Sequence, residues 1–387
     1  MMKHFLKIVF FCGALLLIPV LTLLKEPAAA SYYENRSLAV FPPFSMQEML
    51  DGEYFPQVET WVGDHLAGRN LLLKLNTQKE LALRSPVVND TVVTRDILLP
   101  YHGTVLDHYN AENMEKELDM LQELSDFCTQ QGIKFLYVGI PEQSNAFRDR
   151  YPSYLHPSSY RDDSMRTDFM AGVEARGIDH IWMAQYLSAD YDKYYSKTDH
   201  HYNLYGAYET YLRVMAYLSS SGVAAPVTTD FTITPIDTEF LGSRNRKLFG
   251  LFETDDQLYT GTLAEPVPFT RTDNGKPVEA TVYSESNRNA YAYYMGGDVA
   301  ETIIQTNRPE LPDVLVVGDS FTNALETILY TSFDEMRSLD FRYYTAGSIY
   351  SYLENWQPDA ILYVRDDLSY IVTEGNGGLG ISSAAAQ

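Results

Sequence analysis

Amphipathic helical segments alternate with short apolar runs along most of this 387-residue chain. Residues 112–131 place apolar side chains at helical spacing, and Gly132 ends the predicted helix. The apolar run 134–141 predicts a buried strand, and a second helix–strand pair follows over residues 163–183. Strands that alternate with helices pair in parallel and are covered on both faces. The sequence therefore predicts an α/β fold with a mostly parallel sheet.

This alternation is interrupted once and then resumes. Residues 226–310 are rich in Thr, Pro and Gly, with alternating apolar side chains, which predicts a β-rich insertion. The helix–strand unit is thus predicted to occupy residues 31–225 and 311–370, and the tail 371–387 is predicted to be disordered.

The charge balance limits the partners of the chain. It contains 52 acidic and 29 basic residues, a net charge of −23, so nucleic acid is excluded as an expected partner. Apolar residues make up 45% of the chain, which is typical of a folded protein. Its two cysteines, Cys12 and Cys128, are too few for a disulfide framework or a cysteine zinc site.

The N-terminus, residues 1–30, has the pattern of an export signal. Two lysines within the first seven residues precede an uncharged apolar run of 17 residues, 8–24, and small residues follow at Ala28 and Ala30. Because 17 residues is the lower limit for a membrane span, the segment is predicted to be either a cleaved signal peptide or a retained anchor. Both alternatives place the body of the protein outside the cytoplasm. A buried core helix is the third alternative, although the run lacks a polar face.

A serine follows a predicted strand late in the chain. The run 314–317 leads through Gly318, which would permit a tight turn, to Ser320 and a helix. Ligands of open α/β sheets bind beyond the carboxyl ends of the strands, where this turn would place Ser320. The N–H groups of Ser320 and Phe321 could then face a developing oxyanion. The alternative is that Ser320 only caps the helix.

A nucleophilic serine needs a base and a group that orients the base. Asp199 and His201 lie two residues apart, so on an extended segment they would share one side, with His200 opposite. Asp199 could then hold the His201 ring, and His201 could take the Ser320 proton. Two alternatives remain open: a polar loop with an exposed histidine pair, and a metal site formed by Asp199, His200 and another ligand.

Taken in order, several blocks of the sequence resemble the DHHW proteins of Gram-positive bacteria. These are relatives of the AlgX/AlgJ-type polysaccharide O-acetyltransferases, which have an SGNH-hydrolase-like fold. The tetrad that names the family reads Asp199-His200-His201-Tyr202 here, with Tyr202 where the family usually has Trp. The blocks that carry the resemblance are residues 34–42, 51–69, 198–208, 291–298, 314–325 and 339–344.

The resemblance implies a three-layer α/β/α fold and a catalytic triad of Asp199, His201 and Ser320. It implies transfer of an acyl group, most simply acetyl, to or from a hydroxyl of a cell-surface polysaccharide, without a cofactor or metal. A multi-pass membrane O-acyltransferase would supply the acyl group, and the N-terminal segment would hold the protein at the membrane. Gly297 and Asn145 are further candidates for oxyanion donors.

Aromatic side chains suggest where a sugar could bind. The chain has 30 tyrosines, several of them clustered in its C-terminal half, and sugar faces stack on such rings. Tyr202, Tyr294 and Arg342 are the candidate substrate-binding residues. Core packing is the alternative for the tyrosines, and pairing with an acid is the alternative for Arg342. Two rival functions remain open: a catalytically silent glycan-binding or scaffold protein of an exopolysaccharide assembly, and a metal-dependent hydrolase that uses Asp199, His200 and His201.

Overall fold

An eight-stranded sheet is the largest element of the fold. The computed structural model describes residues 2–34, 36–101, 110–155 and 163–380. The helices are α1 (Met2–Leu24), α2 (Met46–Asp51), α3 (Tyr54–His65), α4 (Arg69–Ala82), α5 (Ala111–Gln131), α6 (Gln143–Ala146), α7 (Asp163–Ala175), α8 (Ala184–Leu187), α9 (Tyr191–Tyr194), α10 (Leu204–Ser220), α11 (Ser243–Lys247), α12 (Ser320–Leu329) and α13 (Ile349–Asn355). The strands are β1 (Ala30–Ser31), β2 (Arg36–Ser37), β3 (Val87–Val88), β4 (Thr91–Val93), β5 (Leu98–Pro100), β6 (Lys134–Ile140), β7 (His180–Trp182), β8 (Phe231–Pro235), β9 (Tyr259–Leu263), β10 (Thr270–Asp273), β11 (Lys276–Val278), β12 (Glu301–Gln305), β13 (Val314–Val317), β14 (Glu335–Leu339) and β15 (Ala360–Asp366).

The chain divides into two units, one of residues 1–93 and 243–253 and the other of residues 94–242 and 254–387. In the first unit, an ion pair links strand β2 to helix α3. Asp64 lies 2.5 Å from the Arg36 guanidinium, which holds the pKa of Asp64 down at about 2. Within the described part of the chain, no helix has both the length and the apolar character needed to cross a membrane.

The sheet belongs to the second unit and has the order β11-β10-β12-β14-β13-β15-β6-β7. Its five strands from β14 to β7 are parallel, whereas β12, β10 and β11 extend one edge in antiparallel pairing. The predicted α/β fold with a mostly parallel sheet is therefore confirmed.

Helices cover both faces of the sheet, as expected for parallel strands. On one face, side chains such as Leu315 and Val317 of β13 pack with buried residues of α5, α7 and α13. Alternate residues of a strand point to the opposite face. There, α12 contacts β15, and α10 packs against α12. This arrangement is the predicted three-layer architecture.

The helix and strand boundaries follow local signals. The Asn110 side chain accepts the N–H of Asn113 at the start of α5, and Gly132 ends this helix with a φ of +76°. β6 coincides with the buried run predicted at residues 134–141, and α10 begins at the cap residue Asn203. In these segments local propensity and tertiary packing favour the same structure.

Two regions differ from the prediction. Residues 226–310 do not form one insertion: β8 and β9 pair separately, β10–β12 extend the central sheet, and residues 243–253 belong to the first unit. The predicted disordered tail is wrong up to residue 380, because Asn376 and Leu379 are buried and the Tyr363 hydroxyl donates to the Asn376 carbonyl at 2.7 Å. Glycine-rich composition suggested disorder, but buried contacts of this kind order the segment. Residues 381–387 lie outside the described residues.

An acidic side chain of α5 is buried within the helical layer. Glu117 of α5 is 2% exposed, and its Oε1 has no hydrogen-bond partner among the described residues. Burial raises the pKa of Glu117 to about 8, although the Arg365 charge opposes the shift. The folded protein therefore keeps a proton on Glu117 at pH values where the unfolded chain, with an ordinary pKa of 4.5, has lost it.

We expect Glu117 to make the protein less stable as the pH rises from about 4.5 towards 8, because the unfolded state binds fewer protons in this window. Glu117→Gln removes this titration. The difference in free energy of unfolding between Glu117→Gln and the wild type should therefore shift in favour of the variant from pH 5 to pH 8. The expected shift is on the order of a few kcal/mol. Urea unfolding at both pH values measures this gain, with exposed Glu123→Gln on the same helix as the control. An equal difference at both pH values would contradict the assignment.

Candidate active site

Ser320 is the first residue of α12, at the carboxyl end of β13. The Asp319 side chain caps this helix by accepting the Phe321 N–H at 3.0 Å. The residue before Asp319 has to be a glycine, because a Cβ on Gly318 would lie only 2.9 Å from the Val364 carbonyl oxygen. The strand, the glycine and the cap together fix the backbone that presents the Ser320 hydroxyl.

The three residues predicted as a triad are hydrogen-bonded in series. His201 Nε2 lies 2.7 Å from Ser320 Oγ, and His201 Nδ1 lies 2.6 Å from Asp199 Oδ1. Asp199 and His201 are only 2% and 4% exposed. Because an ionised carboxylate only accepts hydrogen bonds, the ring proton is on Nδ1 and the Nε2 lone pair faces the serine hydroxyl. The geometry suits proton transfer from Ser320 to His201.

A second aspartate, Asp256, holds the loop that carries the histidine. Its carboxylate accepts the N–H groups of Lys197 and Thr198 at 2.9 and 2.8 Å, and the Thr198 hydroxyl at 2.7 Å. Burial raises the pKa of Asp256 to about 6, despite these hydrogen bonds. No sequence motif pointed to Asp256, because its partners lie almost sixty residues away and its role depends on tertiary packing.

The position of His200 differs from the prediction. The loop is bent at this point, so the alternation of an extended strand does not apply. The rings of His200 and His201 are neighbours, with centroids 3.7 Å apart, and His200 Nδ1 lies 3.4 Å from Asp199 Oδ1. Asp199 and His201 still meet as predicted, but through a bend that also brings His200 to the same carboxylate.

Tyr291 covers one face of the His201 ring. It belongs to a single 3-10 turn, Tyr291–Tyr293, and its ring lies parallel to that of His201, with centroids 3.7 Å apart and an interplanar angle of 4°. The Tyr291 hydroxyl is buried without a hydrogen-bond partner among the described residues. In the sequence, Tyr291 was one of several clustered tyrosines, and nothing local distinguished it as a neighbour of the histidine.

The predictions that Tyr202 and Tyr294 bind substrate are wrong. Both are 0% exposed. The Tyr202 hydroxyl donates to the Phe321 carbonyl, directly after the serine, and the Tyr294 hydroxyl donates to the Tyr259 carbonyl at 2.9 Å. Burial raises the pKa of both phenols well above the usual range, so they remain neutral donors. Tyr202, which stands where the family usually has Trp, thus supports the first turn of α12.

The backbone N–H groups predicted as oxyanion donors differ in whether they already donate a hydrogen bond within the protein. The Ser320 N–H is the first of α12 and has no acceptor within the helix. The Phe321 N–H is already bonded to Asp319, and the Gly297 N–H donates to the Tyr294 carbonyl at 3.2 Å, so these two are not open donors.

Asn145, the remaining candidate, lies on α6 and lines a cavity of about 480 Å³ at the ends of β6 and β15. The same helix approaches the histidine pair, since the Gln143 N–H donates to the His200 carbonyl at 3.2 Å. The structure therefore places Asn145 on a helix that contacts the backbone of His200.

Arg342 lies three residues beyond the end of β14. Its guanidinium pairs with Asp340 at 2.5 Å and with Asp298 at 2.8 Å. It also lines an open cavity of about 400 Å³ together with Asp319 and Arg365. The expected pairing with an acid is therefore present, and the same side chain borders a space next to the nucleophile turn.

Residues 98–333 match the sequence model of the SGNH hydrolase-like domain of acetyltransferase AlgX, and residues 34–102 match that of DHHW proteins. No curated protein matches the sequence significantly. Among solved structures, PatB1 of Bacillus cereus superposes with a TM-score of 0.60 at 23% identity, over 72% of this chain and 97% of PatB1. A DHHW family protein of Eubacterium siraeum superposes with a TM-score of 0.54 at 18% identity, over 73% of this chain and 94% of its own. The chain therefore belongs to the AlgX family of SGNH-hydrolase-like domains.

Proposed function

We propose that this protein is a serine-dependent O-acetyltransferase or acetylesterase that acts on hydroxyls of cell-surface polysaccharide. The observation that carries the proposal is the unbroken hydrogen-bond series from Asp199 through His201 to Ser320. A serine next to a neutral, oriented imidazole is an activated nucleophile for acyl groups. Membership of the AlgX acetyltransferase family supports acetyl as the acyl group. The resemblance to the AlgX/AlgJ-type polysaccharide O-acetyltransferases supports a polysaccharide as the acceptor.

In the first half-reaction, His201 Nε2 takes the Ser320 proton as Oγ attacks the acyl carbonyl of the donor. The Ser320 N–H, at the start of α12, is positioned to stabilise the oxyanion. As the tetrahedral intermediate collapses, the His201 proton passes to the leaving oxygen and the acyl group remains on Ser320. Buried Asp199 stabilises the imidazolium that exists between these steps.

In the second half-reaction, a sugar hydroxyl gives its proton to His201 and attacks the acyl-Ser320 carbonyl. The same proton then returns to Ser320 Oγ as the ester bond to the serine breaks. If water replaces the sugar, the protein is an esterase. The export pattern of residues 1–30 supports an extracytoplasmic location, as a secreted protein or held by that segment at the membrane, where a multi-pass O-acyltransferase would deliver the acyl group.

Covalent labelling tests the nucleophile. PatB1 of Bacillus cereus has been solved with a sulfonyl adduct, which makes a sulfonyl fluoride a suitable probe for this chain. We expect one adduct per molecule of full chain, located on Ser320 by peptide mass spectrometry. It should be absent from Ser320→Ala and present in Ser351→Ala, whose side chain is exposed on α13. An adduct on another serine, or equal labelling of the Ser320 variant, would contradict the proposal.

The acceptor is tested with p-nitrophenyl acetate as the donor and neutral or acidic oligosaccharides as acceptors. Acetylated sugar, detected by mass spectrometry, establishes transfer, whereas acetate release that sugars do not change establishes hydrolysis. Binding of an oligosaccharide without either reaction would instead favour the silent glycan-binding protein.

A further inference from the structure

A second histidine shares the carboxylate of the proposed triad. Asp199 Oδ1 lies 2.6 Å from His201 Nδ1 and 3.4 Å from His200 Nδ1. One ligand atom from each of the three side chains falls within 4.8 Å of the others. Across residues 2–34, 36–101, 110–155 and 163–380, no other three His, Cys or acidic side chains meet in this way.

Two imidazoles and a carboxylate are a donor set that suits Zn²⁺. Donor atoms about 2 Å from a tetrahedral zinc ion are roughly 3.3 Å apart. The separation between His200 and Asp199 already has this value, at 3.4 Å. The 2.6 Å contact between His201 and Asp199 does not, because it is a hydrogen bond that would have to open by less than about 1 Å.

Of the three side chains in this cluster, that of His200 is the most exposed. The His200 side chain is 41% exposed, whereas those of His201 and Asp199 are 5% and 2% exposed. An ion would therefore meet His200 first, with water filling the coordination position that faces solvent.

Metal binding at this cluster has a direct consequence for the base. Zinc coordinates a deprotonated nitrogen, so an ion on His201 Nδ1 displaces the ring proton to Nε2, with no net proton lost from the ring. An Nε2 that carries a proton donates to Ser320 Oγ and can no longer accept the serine proton. The ion also separates Asp199 from the ring that it orients.

We propose that Asp199, His200 and His201 form an inhibitory zinc site that switches the triad off by forcing His201 into the wrong tautomer. The inhibition rests on the proposed serine mechanism, whereas the metal binding does not. His200 is then a regulatory ligand, and the metal is an inhibitor, not a cofactor.

Metal binding is tested in the full chain carrying Ser320→Ala, so that the outcome is independent of turnover. Co²⁺ is the probe, because its visible absorption reports nitrogen and oxygen ligands in a tetrahedral site, and Zn²⁺ should displace it. Adding His200→Gln should weaken the binding by at least ~10-fold, on the scale of losing part of a metal site. His180→Gln, on β7, is the matched control and should bind like the parent. An absent spectrum, or equal affinity in the His200 variant, would overturn the site.

Inhibition is tested on hydrolysis of p-nitrophenyl acetate, with each variant's rate expressed relative to its own metal-free rate. We expect Zn²⁺ to inhibit the wild type, EDTA to reverse the inhibition, and His200→Gln to require at least ~10-fold more Zn²⁺. Binding of Co²⁺ without any effect of Zn²⁺ on the rate would overturn the switch. Loss of activity on EDTA treatment would also overturn it, because the metal would then be required for catalysis. A protein that binds Co²⁺ through His200 but lacks esterase activity would refute the proposed function and leave the metal site standing.

Discussion

Replacing Ser320 with Ala is expected to lower the turnover of p-nitrophenyl acetate by about 10³-fold or more, and replacing His201 with Ala should cost about as much. The two side chains act as one unit through a 2.7 Å hydrogen bond, so either loss removes the activated nucleophile. For the same reason the double variant should be hardly worse than either single one. Asp199→Asn should also be severely impaired, because an amide in this position can donate to Nδ1 and favour the wrong tautomer.

Steady-state rates of the full chain measure these losses, with circular dichroism to verify that each variant is folded. Ser351→Ala is the matched control, since the Ser351 hydroxyl is exposed and donates to the carbonyl of Ser348, the cap residue of α13, at 2.8 Å. Additive losses in the double variant would indicate that Ser320 and His201 act independently. Folded single variants with wild-type rates would refute the serine mechanism altogether.

Much of this site could be predicted from sequence, because its parts depend on short-range signals. The buried run before Gly318 identifies β13, and the residues after it form a helix that starts at Ser320. The pair Asp199 and His201 is separated by one residue, so their contact is local. The meeting of His201 with Ser320, 119 residues apart, needed the parallel sheet to bring two loops together, and the family resemblance supplied that link.

What sequence reasoning missed depends on long-range packing. Thr, Pro and Gly composition marked residues 226–310 as β-rich, but it could not specify that β12 pairs antiparallel with β14 and extends the main sheet. The same lack of contact information made Tyr294 a sugar-binding candidate, whereas it is fully buried with its hydroxyl on the Tyr259 carbonyl. A tyrosine that stacks on sugar and one that packs in a core have the same local sequence signature.

The stacking of Tyr291 on His201 also depends on long-range packing and was not predicted from the sequence. It indicates that Tyr291 is a positioning residue for His201. A parallel ring 3.7 Å from the imidazole restricts rotation of His201, and the face of an aromatic ring attracts the imidazolium formed when the serine gives up its proton. A desolvated cation–π contact contributes roughly 0.5–2 kcal/mol, equivalent to about 2- to 30-fold in rate. Loss of the restraint on ring orientation adds to that effect.

Tyr291→Leu is therefore expected to lower kcat by about 10- to 100-fold with little change in KM, because the buried ring acts through its contact with His201. Tyr291→Phe keeps the stacked face and removes a buried hydroxyl that has no partner among the described residues, so its kcat should stay within about 3-fold of the wild type and its stability should not fall. The matched control is Tyr293→Leu, on the same turn: Tyr293 is similarly buried but stacks on Tyr283. That variant should lose stability while keeping most of its kcat. Equal losses of kcat in Tyr293→Leu and Tyr291→Leu would show that the stack on His201 has no role in turnover beyond packing. A kcat of Tyr291→Phe as low as that of Tyr291→Leu would lead to the same conclusion.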